Sequence, residues 1–185
     1  GNVLAPFTGV PPAPVIATIL DDVGTITGPV AAGKTTNDTL PTLSGTAQAN
    51  AIVSLFNNGV LMGTTTADGN GLWSSTPSGA LSEGNHAFTA TATNANGASG
   101  LSSSFSVIVD TTPPTAPTIL ISADGGTISG VAEAGSTVTI SLPGGTSVTA
   151  IANSSGVYSV NLPVRQIEGQ SLSATATDAA GNTSS

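Results

Sequence analysis

Cysteine is missing altogether from this sequence of 185 residues. Disulfide staples and thiolate metal sites are therefore excluded, and any stabilising clip must be of another kind. Positive charge is nearly missing too: Lys and Arg number 2 against 10 Asp and Glu, for a formal charge of -8. Nucleic acid and anionic membrane surfaces both require a cationic footprint, so neither is expected as a partner. Aromatic residues make up 3%, which leaves Val, Ile, Leu and Ala to build the cores and predicts modest stability per domain. No apolar run approaches the length that spans a bilayer. Charged residues amount to only 6%, so the acidity is not that of a disordered tail. No signal peptide is visible and the chain opens on Gly1, which reads as a piece processed or excised from something longer.

What is present is a β pattern with heavy punctuation. Apolar residues alternate with Thr and Ser, as half-buried strands require. The organising stretch runs from Val109 through Asp110, Pro113 and Pro114 to Pro117. Prolines fix φ, lack the N–H and stay out of sheet ladders, so this stretch reads as a short, stiff, extended linker between two β-domains. An internal repeat supports the division. Ser44–Val53 aligns on Ser129–Val138, Ala67–Ser74 on Ala152–Ser159, and Glu83-Gly84 on Glu168-Gly169. Ala90–Gly97 then aligns on Ala174–Gly181, one residue closer, so the halves are two copies of one module.

Taken in order, residues 1–10 form an N-terminal extension or the final strand of a preceding module. Residues 11–110 form the first domain, and residues 111–185 a second. Strands are predicted at Val15–Leu20, Thr42–Ala47, Ala51–Asn57, Val60–Thr66, Gly71–Thr76, Asn85–Thr93 and Leu101–Val109. Asn57-Asn58-Gly59 reads as a hairpin turn. The core is expected from Val53, Leu55, Trp73, Phe88, Ala90, Ala92, Phe105, Val107 and Val109. Seven antiparallel strands with regular turns and no helix argue an all-β, immunoglobulin-like sandwich. Between the first two strands, Asp21–Asp38 is a long loop, and long loops are usually functional or disordered. The second module repeats the pattern with strands at Thr118–Ile121, Thr127–Val131, Thr137–Leu142, Ser147–Ala152, Val157–Leu162 and Ser171–Thr177. It lacks the last strand within this chain. An unpaired edge invites another strand, so Val3 to Phe7 of a neighbouring copy is a candidate to fill it by strand complementation, while the plainer reading is a cut within a tandem array.

Several of these motifs name a family. Asp21-Asp-Val-Gly24, Thr36–Gly45, Gly71-Leu-Trp73, Glu83–Phe88 and Val109–Pro114 resemble the bacterial immunoglobulin-like repeats of giant, biofilm-associated and type-I-secreted surface adhesins. Gly130–Gly135 and Thr177–Ser184 look like a related, shorter version. The resemblance implies an elongated, secreted stalk on the bacterial surface, used in adhesion and biofilm formation. Its partners are neighbouring repeats of the same protein, and calcium near the module junctions stiffens it. Asn37 and Asn94 stand where related repeats often carry Asp.

Topology also points to a junction. A sandwich of seven alternating strands puts its two chain ends at opposite poles. The Asp21–Asp38 loop and Asp110 then share one pole of the first module, while the loops carrying Glu133 and Asp178 lie at the near pole of the second. Asp21, Asp22, Asp38, Asp110, Glu133 and Asp178 are the candidate metal ligands. Crowded carboxylates repel by about 4 kcal/mol per pair at about 4 Å in a medium of intermediate dielectric, and calcium, taking six to eight oxygens in flexible geometry, reverses that sign. The competing reading is that these acids are solvated loop residues or turn formers. Asp68 and Asp124 are read as turn formers only. Gln48 and Asn94 replace the acids at the other pole of the first module, where no strong site is expected.

Catalysis has little to work with. The chain holds one His, one Tyr, one Lys and one Arg, and His86 reads as an outward strand residue. Zinc is disfavoured by the same scarcity. A carbohydrate-binding module would need an exposed aromatic platform, whereas Trp73 and Tyr158 occupy equivalent core-like positions. A self-assembling fibre subunit is the other alternative to a spacer.

Overall fold

Alternation along the strands sets which side chains meet. In β8 (Gly84–Asn94), His86, Phe88, Ala90 and Ala92 are buried while the intervening threonines are not. The computed structural model describes residues 9–185, and the chain divides into unit 1, Gly1–Asp110, and unit 2, Thr111–Ser185. No helix occurs among the described residues.

Unit 1 contains β1 (Val15–Asp21), β2 (Gly28–Val30), β3 (Thr35–Thr36), β4 (Thr42–Thr46), β5 (Ile52–Asn57), β6 (Val60–Thr66), β7 (Leu72–Ser75), β8, β9 (Gly97–Ala98) and β10 (Phe105–Val109). They form two sheets, ordered β2-β1-β4-β7 and β3-β10-β8-β5-β6, with β9 paired to β8. Between them lie Ile16, Ile19, Leu43, Val53, Leu55, Trp73, Phe88, Val107 and Val109. Each large apolar side chain so buried is worth about 1.5–3 kcal/mol. Phe105 is only half-buried and packs against this cluster from its edge.

Two local devices explain the fit. Asn58 (φ 49°) and Gly59 (φ 81°) supply the left-handed pair that a tight hairpin between β5 and β6 requires. Gly45 lets β1 come close: a Cβ there would stand 1.8 Å from the Val15 carbonyl and 2.8 Å from Trp73 Cζ2.

Several expectations need correction. The segment between Asp21 and Asp38 is not a bare loop, because β2 pairs with β1 and β3 runs parallel to β10, with Ile108 opposite Thr35 and Val109 opposite Thr36. Unit 1 is therefore neither seven-stranded nor wholly antiparallel among the described residues. Residues 101–104 are not strand. Ser99 and Ser102 serve there instead: their hydroxyls accept from Ala92 N and Ala90 N (both 2.9 Å), so β8 keeps its hydrogen bonds ahead of β10. His86 does not face outward; it is 4% exposed because it shares the face of Phe88. Its Nε2–H donates to the Ser82 carbonyl (2.8 Å), which leaves Nδ1 to accept from the Asn57 amide (2.8 Å). The proposed exchanging strand, Val3 to Phe7, lies outside the described residues.

Unit 2 contains β11 (Leu120–Ile121), β12 (Thr127–Val131), β13 (Thr137–Ser141), β14 (Ser147–Ile151), β15 (Val157–Asn161) and β16 (Ser173–Thr177). Its sheets are ordered β11-β12-β15 and β14-β13-β16, enclosing Ile128, Val138, Ile140, Leu142, Ala152 and Tyr158. The devices of unit 1 recur. A Cβ on Gly130 would stand 2.0 Å from the Thr118 carbonyl. The Ser184 hydroxyl accepts from Ala176 N at 2.9 Å, as Ser99 does from Ala92.

Candidate functional site

The pole at which the chain leaves unit 1 is built around Thr36. β1 delivers Asp21 at its last residue, and β3 lays Thr36 along β10, fully buried. The Thr36 hydroxyl donates to Asp21 Oδ2 and accepts from Asp38 N (3.1 Å). The Thr36 carbonyl accepts from Asp110 N (2.9 Å), so one residue ties the start of the segment, its end and the exit of the chain. Asp21 Oδ1 accepts from Val23 N (2.9 Å), Asp38 Oδ1 from Leu40 N (2.7 Å), and Asp38 Oδ2 from Asp22 N (3.4 Å). Asp21 and Asp38 are only 5% and 2% exposed; Asp22 is exposed and Asp110 half-buried. Next to them Asn37 Oδ1 is buried with no hydrogen-bond partner among the described residues. The Asn37 amide lies over the turn after β1, where a Cβ on Gly24 would come within 2.7 Å of its Nδ2.

The other two predicted ligands belong to unit 2. Glu133 is exposed in the turn that precedes β13, and its carbonyl accepts from the Ser136 hydroxyl (2.7 Å). Asp178 follows β16, whose Thr177 pairs with Thr137 of β13, so both acids lie at one end of unit 2. That is also the end where the chain enters it, since Thr118 N donates to Val131 O (2.9 Å). Asp178 is buried as a turn former: Oδ1 accepts from Ala180 N and Asn182 N, and Oδ2 from Asn182 Nδ2, each at 2.9 Å.

Among the described residues, no group of three or more His, Cys, Asp or Glu side chains gathers as a metal cluster. At the trailing pole of unit 1 the donors are two buried carboxylates and one buried amide oxygen. They are all hard oxygens, and the amide oxygen has no partner among the described residues, so the set fits calcium in kind rather than zinc. The acids were legible in the sequence. Asn37 is hinted at by its place where related repeats often carry Asp, whereas nothing in the sequence marks Thr36.

Asp68 and Asp124 are turn formers, as expected. Asp68 Oδ1 accepts from Asn70 N and Leu72 N (2.8 and 2.9 Å). The Ser122 hydroxyl, the Gly126 N–H and the Arg165 guanidinium hold the Asp124 carboxyl below its usual range. Trp73 and Tyr158 are both core residues, 4% and 2% exposed, so neither offers a stacking platform. The Tyr158 hydroxyl donates to the Thr118 carbonyl (2.6 Å). Among the described residues, no helix is long and apolar enough to cross a membrane.

Residues 13–111 match the family model of the bacterial Ig-like domain, and residues 113–185 match that of the bacterial Ig domain. No curated protein matches the chain. Among solved structures, a BSP domain of a biofilm associated protein is similar at 23% identity over 83% of this chain and 27% of that one, with a TM-score of 0.36. The chicken CNTN1 FN1-FN3 domains align at 15% identity over 96% of this chain and 63% of that one, with a TM-score of 0.48. The fibronectin(III)-like modules of Clostridium thermocellum CbhA align at 16% identity over 84% and 86%, with a TM-score of 0.47. The chain thus spans less than two thirds of the length of the first two. With a sandwich in each unit and a family model over more than half its length, the chain belongs to the bacterial Ig-like domain family.

Proposed function

We propose that the chain is a spacer segment of the stalk of a bacterial cell-surface adhesin, and that calcium stiffens it. One observation carries the spacer reading: two sandwiches, one matching a bacterial Ig-like and the other a bacterial Ig family model, follow each other through a proline-rich linker, and each turns its large aromatic ring inward. A module that binds sugar by ring stacking would present those rings. The one histidine is buried with its ring nitrogens bonded to Asn57 and Ser82, which fits a structural role.

Calcium is proposed on the hard oxygens at the trailing pole of unit 1. Asp21, Asp38 and the Asn37 amide form its inner set, with Asp22 and Asp110 beside them. Glu133 and Asp178 are the unit 2 acids that the same reading assigns to the linker. An ion held there would offset the negative charge of Asp21 and Asp38 and hold the segment between them against the exit of unit 1.

The test is a thermal scan and small-angle scattering of the whole chain, in excess EDTA and in calcium. A ligand at about 100 times its Kd stabilises the folded state by about 2.7 kcal/mol, so the melting temperature is expected to rise and the scattering to become more rod-like. Identical curves in both buffers would overturn the calcium reading and leave the spacer reading to stand on the tandem fold.

A further inference from the structure

The opposite pole of unit 1, where the chain enters, is built from amides. Asn94 ends β8, and its Nδ2 donates one proton to the Gly9 carbonyl (3.0 Å) and the other to Gln48 Oε1 (3.0 Å). Its Oδ1 accepts from Asn96 N (2.8 Å), so both protons and the oxygen of this carboxamide are engaged and its orientation is fixed. The Asn96 amide donates to the same Gly9 carbonyl (3.2 Å). Beyond that contact Val10 packs beside Gly97, where a Cβ would meet Val10 Cγ1 at 3.2 Å, and Pro11 is buried.

We propose that Asn94, Asn96 and Gln48 form a clamp that fastens the incoming chain to unit 1 without a metal ion. A carbonyl oxygen carries two lone pairs, and two amide donors fill both. All the partners are neutral, so there is no carboxylate repulsion for a cation to relieve. The repeat sharpens the contrast. Asp178 takes the place of Asn94, Glu133 that of Gln48, and Ala180 that of Asn96. A carboxylate has no N–H to donate, so the corresponding residues of unit 2 cannot reproduce this clamp. The two poles therefore present different groups, amides at unit 1 and acids at unit 2, where the Asp178 carboxylate is taken up by its own turn. The meaning of the clamp as a joint rests on the spacer reading; its existence does not.

The absence of cysteine makes the test clean. A nitroxide attached at Gly9→Cys, the exposed residue whose carbonyl is clamped, reports how freely the chain moves there. In the wild-type background its spectrum is expected to show an immobilised component, equal in EDTA and in calcium. Asn94→Asp combined with Asn96→Ala is expected to abolish that component, while the carboxylate introduced by the first substitution can still accept from the backbone N–H two residues on and keep the turn. Trp73 fluorescence checks that unit 1 is folded. Should the double variant unfold, Asn96→Ala alone, at an exposed position, is expected to give a partial loss. A mobile label in the wild-type background, loss of the immobilised component on adding EDTA, or its persistence in a folded double variant would each overturn the proposal. Failure of the calcium reading appears separately, as unchanged melting and scattering.

Discussion

Replacing Thr36 by valine tests whether one hydroxyl organises the trailing pole of unit 1. Valine keeps the shape and the β preference but removes a donor and an acceptor. The bond to Asp21 is charge-assisted, worth about 1.5–3 kcal/mol, and the bond from Asp38 N adds about 1 kcal/mol. Thr36 is fully buried and Asp21 and Asp38 nearly so, so water cannot readily replace either bond and screening discounts little. The expected loss is about 3 kcal/mol in EDTA. For a domain of this size it corresponds to a melting temperature lower by roughly 12–24 °C, or a urea midpoint lower by about 1–2 M. The chain supplies its own assay. Its single tryptophan, Trp73, is buried in unit 1 and its single tyrosine, Tyr158, in unit 2. Tryptophan emission should therefore report the loss while the tyrosine signal keeps its wild-type midpoint. Thr36→Ser, which retains the hydroxyl, should recover most of the difference. A Thr36→Val midpoint within about 0.5 kcal/mol of wild type would refute the reasoning.

The repeat predicts a matched pair of effects. Gly45→Ala drives a methyl group into the Val15 carbonyl and should cost unit 1 about 3 kcal/mol; Gly130→Ala should do the same to unit 2 through the Thr118 carbonyl. Denaturation read by the two intrinsic probes checks both, and a cost in one unit only would break the equivalence. Alkaline pH should separate the units. Burial raises the Tyr158 phenol above its ordinary value of 10.0, so the folded state holds this proton more tightly than the unfolded state. That contribution is complete below about pH 10 and is lost as pH rises through the folded value. Unit 2 should weaken there, and Tyr158→Phe should abolish this part of the pH dependence while costing about 1 kcal/mol at neutral pH through the lost bond to Thr118. An unchanged alkaline profile in Tyr158→Phe would place the cause elsewhere.

Most of the sandwich could be read because its signals are local. β8 announces itself by alternation, the hairpin by Asn58-Gly59, and the second unit by repeating the first. β2 and β3 escaped because nothing local marks them. Pro29 argues against a strand, and is tolerated because β2 is the edge of its sheet. β3 is two residues long, and its pairing with β10 is parallel and distant in sequence. Residues 101–104 misled in the opposite sense, since the serines satisfy the neighbouring strand without joining it in register. At the candidate site the acids were visible as residue types. Their shared dependence on Thr36 was not, because it arises only when β3 meets β10. The orientation of His86 could have been read: period two from Phe88 already turns it inward.

The parallel pairing of β3 with β10 has a mechanical consequence. Chain enters unit 1 through β1 and leaves through β10, so tension on its two ends drags β3 and β10 past each other along their length. The backbone bonds that span that seam include Gly33 N to Ser106 O (2.7 Å), Ile108 N to Lys34 O (2.9 Å) and Asp110 N to Thr36 O (2.9 Å). Sliding loads all three together, whereas peeling a hairpin breaks its rungs one at a time. Unit 1 thus carries a shear latch across the line of pull, and it closes at Thr36, the residue that also holds Asp21 and Asp38.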